Sequence, residues 1–470
     1  MNFLLILSLF TQTPEVSSKF SNDLSVWGWK KETVDTTTKI DTASIENTLS
    51  LSAQWNYFNG FFETLYLDRK IYVKKRISFE APSVSFLLGD FYQTYGNGLM
   101  LGMTAIESKG FERRINGAMA STKLGCVTVS EIYGTPWIID RANQKYGITN
   151  DTLDKLGGVN LSVPISKIQT IFNIRGIGLI KSLWAGGPQS YMTLIGGEVK
   201  LNTSWCEFNA EGLRKTNSDT LDTLGYGGHL NTKIYLGSCI VGMQGLYYEQ
   251  LNTYKYASLP TLNKNEYSIN EGKDEWGYKF SLQKAFDELI ANAYFSNTLT
   301  RLEKAPITDK RRGLLEGSAD VEFKDINASF RMADFDSAID IHYKNKQEIE
   351  GELIGEIKMF KAEVSLLKVT GTSLENSTVD FYDTGFGLDF FINEQFALYS
   401  TYTVRSKEAP EELKSPGKLW YGIGLKINVV DKVLGEIWYG NEKGGLVCSG
   451  GSCRWVEPYE GLKAKISINF

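Results

Sequence analysis

Helix-length apolar runs are missing from this 470-residue chain; no stretch approaches the roughly eighteen consecutive apolar residues of a spanning helix. Excess positive charge is missing too. A formal net charge of −5 and a pI near 5.5 leave no basic footprint, which argues against nucleic acid as a partner. Proline is scarce, at 10 residues, and histidine is nearly absent, at 2. No GxSxG elbow or other nucleophile motif appears, so a Ser/His hydrolase has little to build on. Against these absences stand 24 Tyr, 25 Phe, 10 Trp and 45 Gly, a mix that suits strands and tight turns better than helices.

Alternation is the dominant pattern. In the closing stretch "GLKAKISINF", Leu462, Ala464, Ile466, Ile468 and Phe470 share one face, and Lys463, Lys465, Ser467 and Asn469 share the other. The same two-residue period runs through "ASIENTLSLSAQWNYF" and "GKLWYGIGLKIN". Counting strands back from Phe470 predicts about 24, within a range of 20 to 26. Short turns such as "LGS", "PISK" and "TKLG" alternate with longer loops, among them 93–111, 252–273 and 441–459. The links at 68–70 and 344–347 are short exceptions. A soluble sandwich has no reason to sort loop length by parity, whereas an up-and-down membrane barrel does. The expected fold is therefore all-β: a closed antiparallel transmembrane barrel over 19–470, with the last strand paired to the first. Residues 1–18 contain a short apolar run, Phe3–Phe10, followed by small and polar residues, and are expected to be a signal peptide.

The terminal alternation with its final Phe470 resembles the signal that bacterial outer-membrane proteins present to their barrel-assembly machinery. The stretches "GDFYQTYGNGLML" and "GGLVCSGGSCRWVEPYEGLKAKISINF" resemble uncharacterised outer-membrane β-barrel proteins of Bacteroidota-type bacteria. That resemblance implies an outer-membrane barrel with porin-like architecture, surrounded by outer-membrane lipid, and brings no activity with it.

Charges on the polar face are expensive in lipid and are expected to line the lumen: Glu46, Glu207, Glu352, Glu356, Glu363, Lys418, Lys426, Lys463 and Lys465. The alternative is a salt-bridged lining with no transport role. A barrel of this size is too wide for its wall side chains to fill. The loop around Tyr95, Gly96, Gly98, Leu99 and Met100 is too apolar to stand in water; it either folds inward as a constriction or packs above the membrane as strand extensions.

These features predict a channel or transporter for small solutes. A surface scaffold or binding protein is the first alternative, with loop aromatics Trp137, Trp184, Tyr254, Tyr256 and Trp455 as anchors or interfacial girdle residues. A barrel-embedded lipid hydrolase using His229 or His342 is the remote one. No catalytic residue, cofactor or metal is assigned.

Cys448 and Cys453 flank four small residues and read as a disulfide; half a zinc site is the rival, without a second Cys/His pair to complete it. The loop that contains them belongs outside the cell. Thiol reagents applied to intact cells are expected to label these cysteines only after reduction. Ready labelling without reductant would reject the bridge, and labelling only after lysis would reject the topology.

Overall fold

The computed structural model describes residues 16–31, 40–67, 70–106, 111–140, 149–150, 154–182, 189–218, 224–251, 256–264, 272, 274–300, 312–336, 343–373, 376–407, 419–430, 433–443, 445–449, 452–456 and 459–469. Among them, twenty-four long antiparallel strands follow one another round a closed barrel. Closure is made by the first and last strands: Val16–Lys31 pairs with Tyr459–Asn469, with Leu24 opposite Ile466 and Val26 opposite Ala464. Tyr459–Asn469 pairs on its other side with Val433–Glu442. The strand Val16–Lys31 begins before the end of the expected 1–18 leader.

Side-chain alternation follows the sequence pattern. In Thr378–Asn393, Val379, Phe381 and Asp383 are buried on the inner face, while Tyr382 and Phe386 are exposed on the outer one. Leu462 and Ile466 of the last strand are likewise exposed on the outside. Aromatic rings mark both rims of the outer surface. Tyr191, Tyr226, Trp276 and Tyr439 lie toward the long-loop ends of their strands, and Trp55, Phe58, Phe286 and Phe360 lie at the short-turn ends. An apolar outer band between two aromatic girdles is the surface of a protein that spans a bilayer.

Two boundaries differ from the sequence expectation. Residues 344–347 are not a link; they lie inside the strand Tyr343–Ile357, and the preceding strand ends at Asp336. The final loop also has structure of its own. Gly445–Ser449 and Ser452–Val456 form a hairpin in which the backbone sets Cys448 directly opposite Cys453.

One strand leaves the wall early. Val84–Phe91 pairs with Lys70–Ala81 only as far as Gly89 opposite Arg76. Gly89 has φ +109°, and a Cβ there would meet the Lys75 carbonyl oxygen at 2.1 Å, so only glycine fits. From this point the strand parts from Lys70–Ala81 but stays paired with Phe111–Leu124 as far as Phe91 opposite Ile115, after which the chain turns into the lumen. Among the described residues, no strand covers Ile71–Lys75 on that side. Side chains take over two of its hydrogen bonds: the Lys75 N–H donates to Asp90 Oδ2 at 2.9 Å, and Arg114 Nη2 donates to the Val73 carbonyl at 3.2 Å.

Orientation of the last strand has a measurable consequence. Ile466→Arg places a charge in the lipid-facing row and is expected to lower unfolding free energy in lipid vesicles by about 2–4 kcal/mol if it lies near mid-membrane. Lys465→Gln, on the inner face, is expected to change it by less than about 0.5 kcal/mol.

Candidate functional site: an inward-folded plug over a charged layer

Residues 92–106 fold inside the barrel. Gln93–Tyr95 and Leu101–Met103 pair as a short hairpin, and Leu99, Leu101 and Met103 are fully buried. Tyr95 and Met100 are buried beside them. Each such side chain contributes about 1.5–3 kcal/mol relative to exposure, ample to seat the segment.

A second segment that the sequence reading left among the outer loops, 256–264, packs against the first. Ser258 N–H donates to the Gly98 carbonyl at 3.0 Å, and Ser258 Oγ donates to that of Gly102 at 3.1 Å. Gly98 needs its freedom: φ is +90°, and a Cβ would lie 2.5 Å from the Ser258 carbonyl oxygen. Arg113 Nη1 donates to the Ala257 carbonyl at 2.6 Å, and Tyr248 Oη donates to that of Pro260 at 2.8 Å. Tyr256 is buried, with its hydroxyl on Asp154, rather than displayed as a loop anchor.

The two segments complete an apolar layer with inward residues from the long-loop ends of the wall strands, including Leu179, Met192, Leu213 and Leu246. The smaller buried clusters, Val379 with Phe381 and Leu314 with Phe335, also lie at long-loop ends.

Below the apolar layer, toward the short turns, the wall is charged. Arg175 pairs with Glu198 and lies 3.6 Å from Glu211, while Asn173 Nδ2 donates to Glu198 at 3.0 Å. The tip of the plug reaches this layer through Asn97. Its backbone N–H donates to Glu211 Oε2 at 2.9 Å, its Nδ2 donates to His229 Nδ1 at 3.0 Å, and its Oδ1 accepts from Asn209 Nδ2 at 3.3 Å. Among the described residues, the side-chain partner of His229 is Asn97 of the plug and not a serine. Burial pushes the Tyr95 phenol up to about 12, partly offset by the Arg175 guanidinium, so the ring enters the layer uncharged. A second network surrounds Arg331, which lies 3.2 Å from Glu316, 3.0 Å from Glu348 and 3.3 Å from Glu350.

The expected lumen residues fall as follows. Glu207 accepts from Tyr235 Oη at 2.5 Å and lies 3.7 Å from Lys233. Glu352 accepts from Ser329 Oγ at 3.5 Å. Glu363 is on the inner face between outward Val364 and its neighbours, and Glu356 is exposed near a short turn, opposite Lys361. Lys426 stands 4.7 Å from the Tyr399 ring, and Lys463 lies 2.5 Å from Glu442. Lys465 is exposed on the inner face, opposite Glu436. Glu46 lies opposite Ser25 in the ladder, but its side chain is outside the described residues, as are the side chains of Cys448, Cys453 and Trp455. Lys418, Phe470, His342, Trp184 and Tyr254 are outside them altogether. Trp137 is half-buried in the same row as outward Tyr133, 5.2 Å from the Arg114 guanidinium. Among the described residues, no group of three His, Cys, Asp or Glu side chains could hold a metal ion.

Sequence reasoning did not single out Asn97, Asn209, Glu211 or the segment 256–264. The last carried a usable signal, since "YASLPTLN" is as apolar for a loop as the 92–106 stretch.

A model for a family of unknown function, DUF6029, matches residues 384–470. No curated protein matches the chain by sequence. Among solved structures, the chain is similar to the siderophore receptor PirA from Pseudomonas aeruginosa, with 11% identity over 98% of this chain and 82% of that one and a TM-score of 0.48. OccAB3 of Acinetobacter baumannii matches at 8% identity over 97% and 99% of the two chains, with a TM-score of 0.38. OccK2 (OpdF) of Pseudomonas aeruginosa, in complex with glucuronate, matches at 8% over 68% and 92%, with a TM-score of 0.45. The assignment as a transmembrane β-barrel rests on this chain's own ladder and outer surface.

Gly98→Val is expected to separate the two inner segments while leaving the strand ladder intact. Circular dichroism should be unchanged, and protease added to the folded barrel should cut within 92–106, which the native protein protects. Native-like protection would show that the Gly98–Ser258 contact does not seat the plug.

Proposed function

We propose that this chain is an integral outer-membrane channel for small polar solutes, with the paired inner segments as its gate. The observation that carries this reading is the layering of the lumen. At the short-turn end, inward charges such as Glu356, Lys426 and Lys465 are open to water, and at the long-loop end the inner face is packed with apolar side chains. A water-accessible vestibule of mixed charge under an apolar cap is the arrangement of a pore held shut at one mouth. The polar tip contacts of Asn97 give that cap a limited set of bonds to release.

In this reading the outer band sits in outer-membrane lipid, and residues 1–18 direct export. The terminal strand, with Leu462, Ala464, Ile466, Ile468 and Phe470, is the signal read by the barrel-assembly machinery. The resemblance noted in the sequence supports a Bacteroidota-type cell envelope. The charged lining and the gate favour conduction over a passive surface scaffold, and the bonding of His229 to the plug gives a hydrolase no support.

Planar-bilayer recording tests the proposal. The intact protein is expected to show low or intermittent conductance, and a variant with residues 93–103 replaced by a short glycine-serine linker is expected to show stable conductance several-fold higher. A folded deletion variant that passes no current would sink the channel reading and favour the scaffold.

A further inference from the structure

The outward face of Lys70–Ala81 carries Ile71, Val73, Lys75 and Ile77, all exposed. Lys75 therefore stands in the lipid-facing row near the middle of its strand, where a charge is costly unless something answers it. Among the described residues, no acidic group pairs with its ammonium. It also sits where the neighbouring strand leaves the wall, directly above the last ladder pair, Arg76 with Gly89.

Beside Lys75, toward the short turns, the outer wall is hollowed. The ladder aligns Ala53, Gly60, Ile77 and Leu88 across four strands, and Leu51, Phe62 and Lys75 in the next row. The small side chains of Ala53 and Gly60 leave a floor between the walls of Leu51, Phe62, Ile77 and Leu88. The groove measures about 880 Å³, within the range of ligand clefts. Its walls are apolar; of the three cations along it, Lys19 and Arg76 alternate onto the inner face, and Lys75, at the end next to the seam, alone projects outward.

We infer that this groove binds a long-chain monocarboxylic acid, its tail along Ala53 and Gly60 and its carboxylate on the Lys75 ammonium. Charge complementarity fixes the sign of the head group, and height in the wall fixes the kind of molecule. Head groups of bilayer lipids lie at the aromatic girdles, well above or below Lys75. A carboxylate reaches mid-wall on a single-chain amphiphile lodged at the seam itself. Behind Lys75, the seam consists of side chains: Arg114 lies 3.4 Å from Asp90 and 3.5 Å from Glu112, and Lys74 lies 3.6 Å from Glu112. The inference concerns the outer wall and stands whether or not the lumen conducts.

Doxyl-labelled stearic acid, titrated into the full-length protein in zwitterionic nanodiscs, tests it by electron paramagnetic resonance. A saturable immobilised component is expected. Lys75→Gln should weaken it about tenfold, the loss of one charge-assisted contact, and Lys75→Arg should keep it. Gly60→Leu should abolish it by filling the floor; a Cβ at Gly60 meets only the Ala53 carbonyl oxygen, at 3.9 Å, so the fold tolerates the change. Heat-modifiable migration on gels confirms that each variant is folded. The methyl ester should bind wild type no better than Lys75→Gln binds the acid. Non-saturable immobilisation in all variants would mean ordinary boundary lipid and overturn the inference. So would equal binding by wild type and Lys75→Gln, or preferential displacement by an anionic diacyl phospholipid.

Discussion

In hydrocarbon a backbone N–H has no water to turn to, and each one left unpaired costs several kcal/mol. Every large feature of this protein follows from that constraint. It forces the ladder to close, so the terminal alternation from Leu462 to Ile468 docks on Val16–Lys31 instead of fraying. It also turns the apolar face outward, because the same lipid that offers no hydrogen bonds solvates leucine and isoleucine well. The departure at Gly89 obeys the rule by other means. When Val84–Phe91 leaves the wall, Asp90 and Arg114 return side-chain bonds to Lys75 and Val73. At these two positions side chains replace the missing strand as hydrogen-bond partners of the wall.

Inside the barrel the same lack of water in the packed layer dictates how charges are held. Arg331 is buried among three glutamates, and Arg405 grips Asp383 through two parallel contacts of 2.7 and 2.8 Å. Removing one partner of such a pair strands the other, so these networks fix positions more than they add net stability. The charges nearer the short turns, such as Glu356, Lys426 and Lys465, are less buried and open to water. Burial thus grades the lining from structural at mid-barrel to accessible at the short-turn mouth.

Much of this was legible in the sequence because it depends on local period. Alternation and the parity of loop lengths are properties of neighbouring residues, and they give the strand number and the inner face of Glu207, Glu352, Lys426 and Lys463 directly. The misplaced link at 344–347 arose where "HYKNKQE" is polar on both registers, which hides a strand edge. The plug was only half legible. The apolar character of Leu99 to Met103 flags a segment that must be buried, but its partners are remote: Asn97 meets Glu211 114 positions away, and Arg113 meets Ala257 144 positions away. No periodicity encodes contacts of that range. Tyr256 illustrates the cost, since an aromatic in a long loop reads equally as a surface anchor and as a buried prop.

Plug and wall share one origin at Gly89, and this ties their behaviours together. Asp90, the next residue, bonds the wall at Lys75 and at Asn116, and Tyr92, two further on, donates to Glu112 at 2.8 Å. Glu112 in turn faces Lys74 and Arg114 across the seam. A movement that withdraws the hairpin from Glu211 and His229 pulls on a chain anchored at these same side chains. The plug in the lumen and the seam in the wall are therefore two ends of a single segment of about ten residues, too short to let one move far without loading the other.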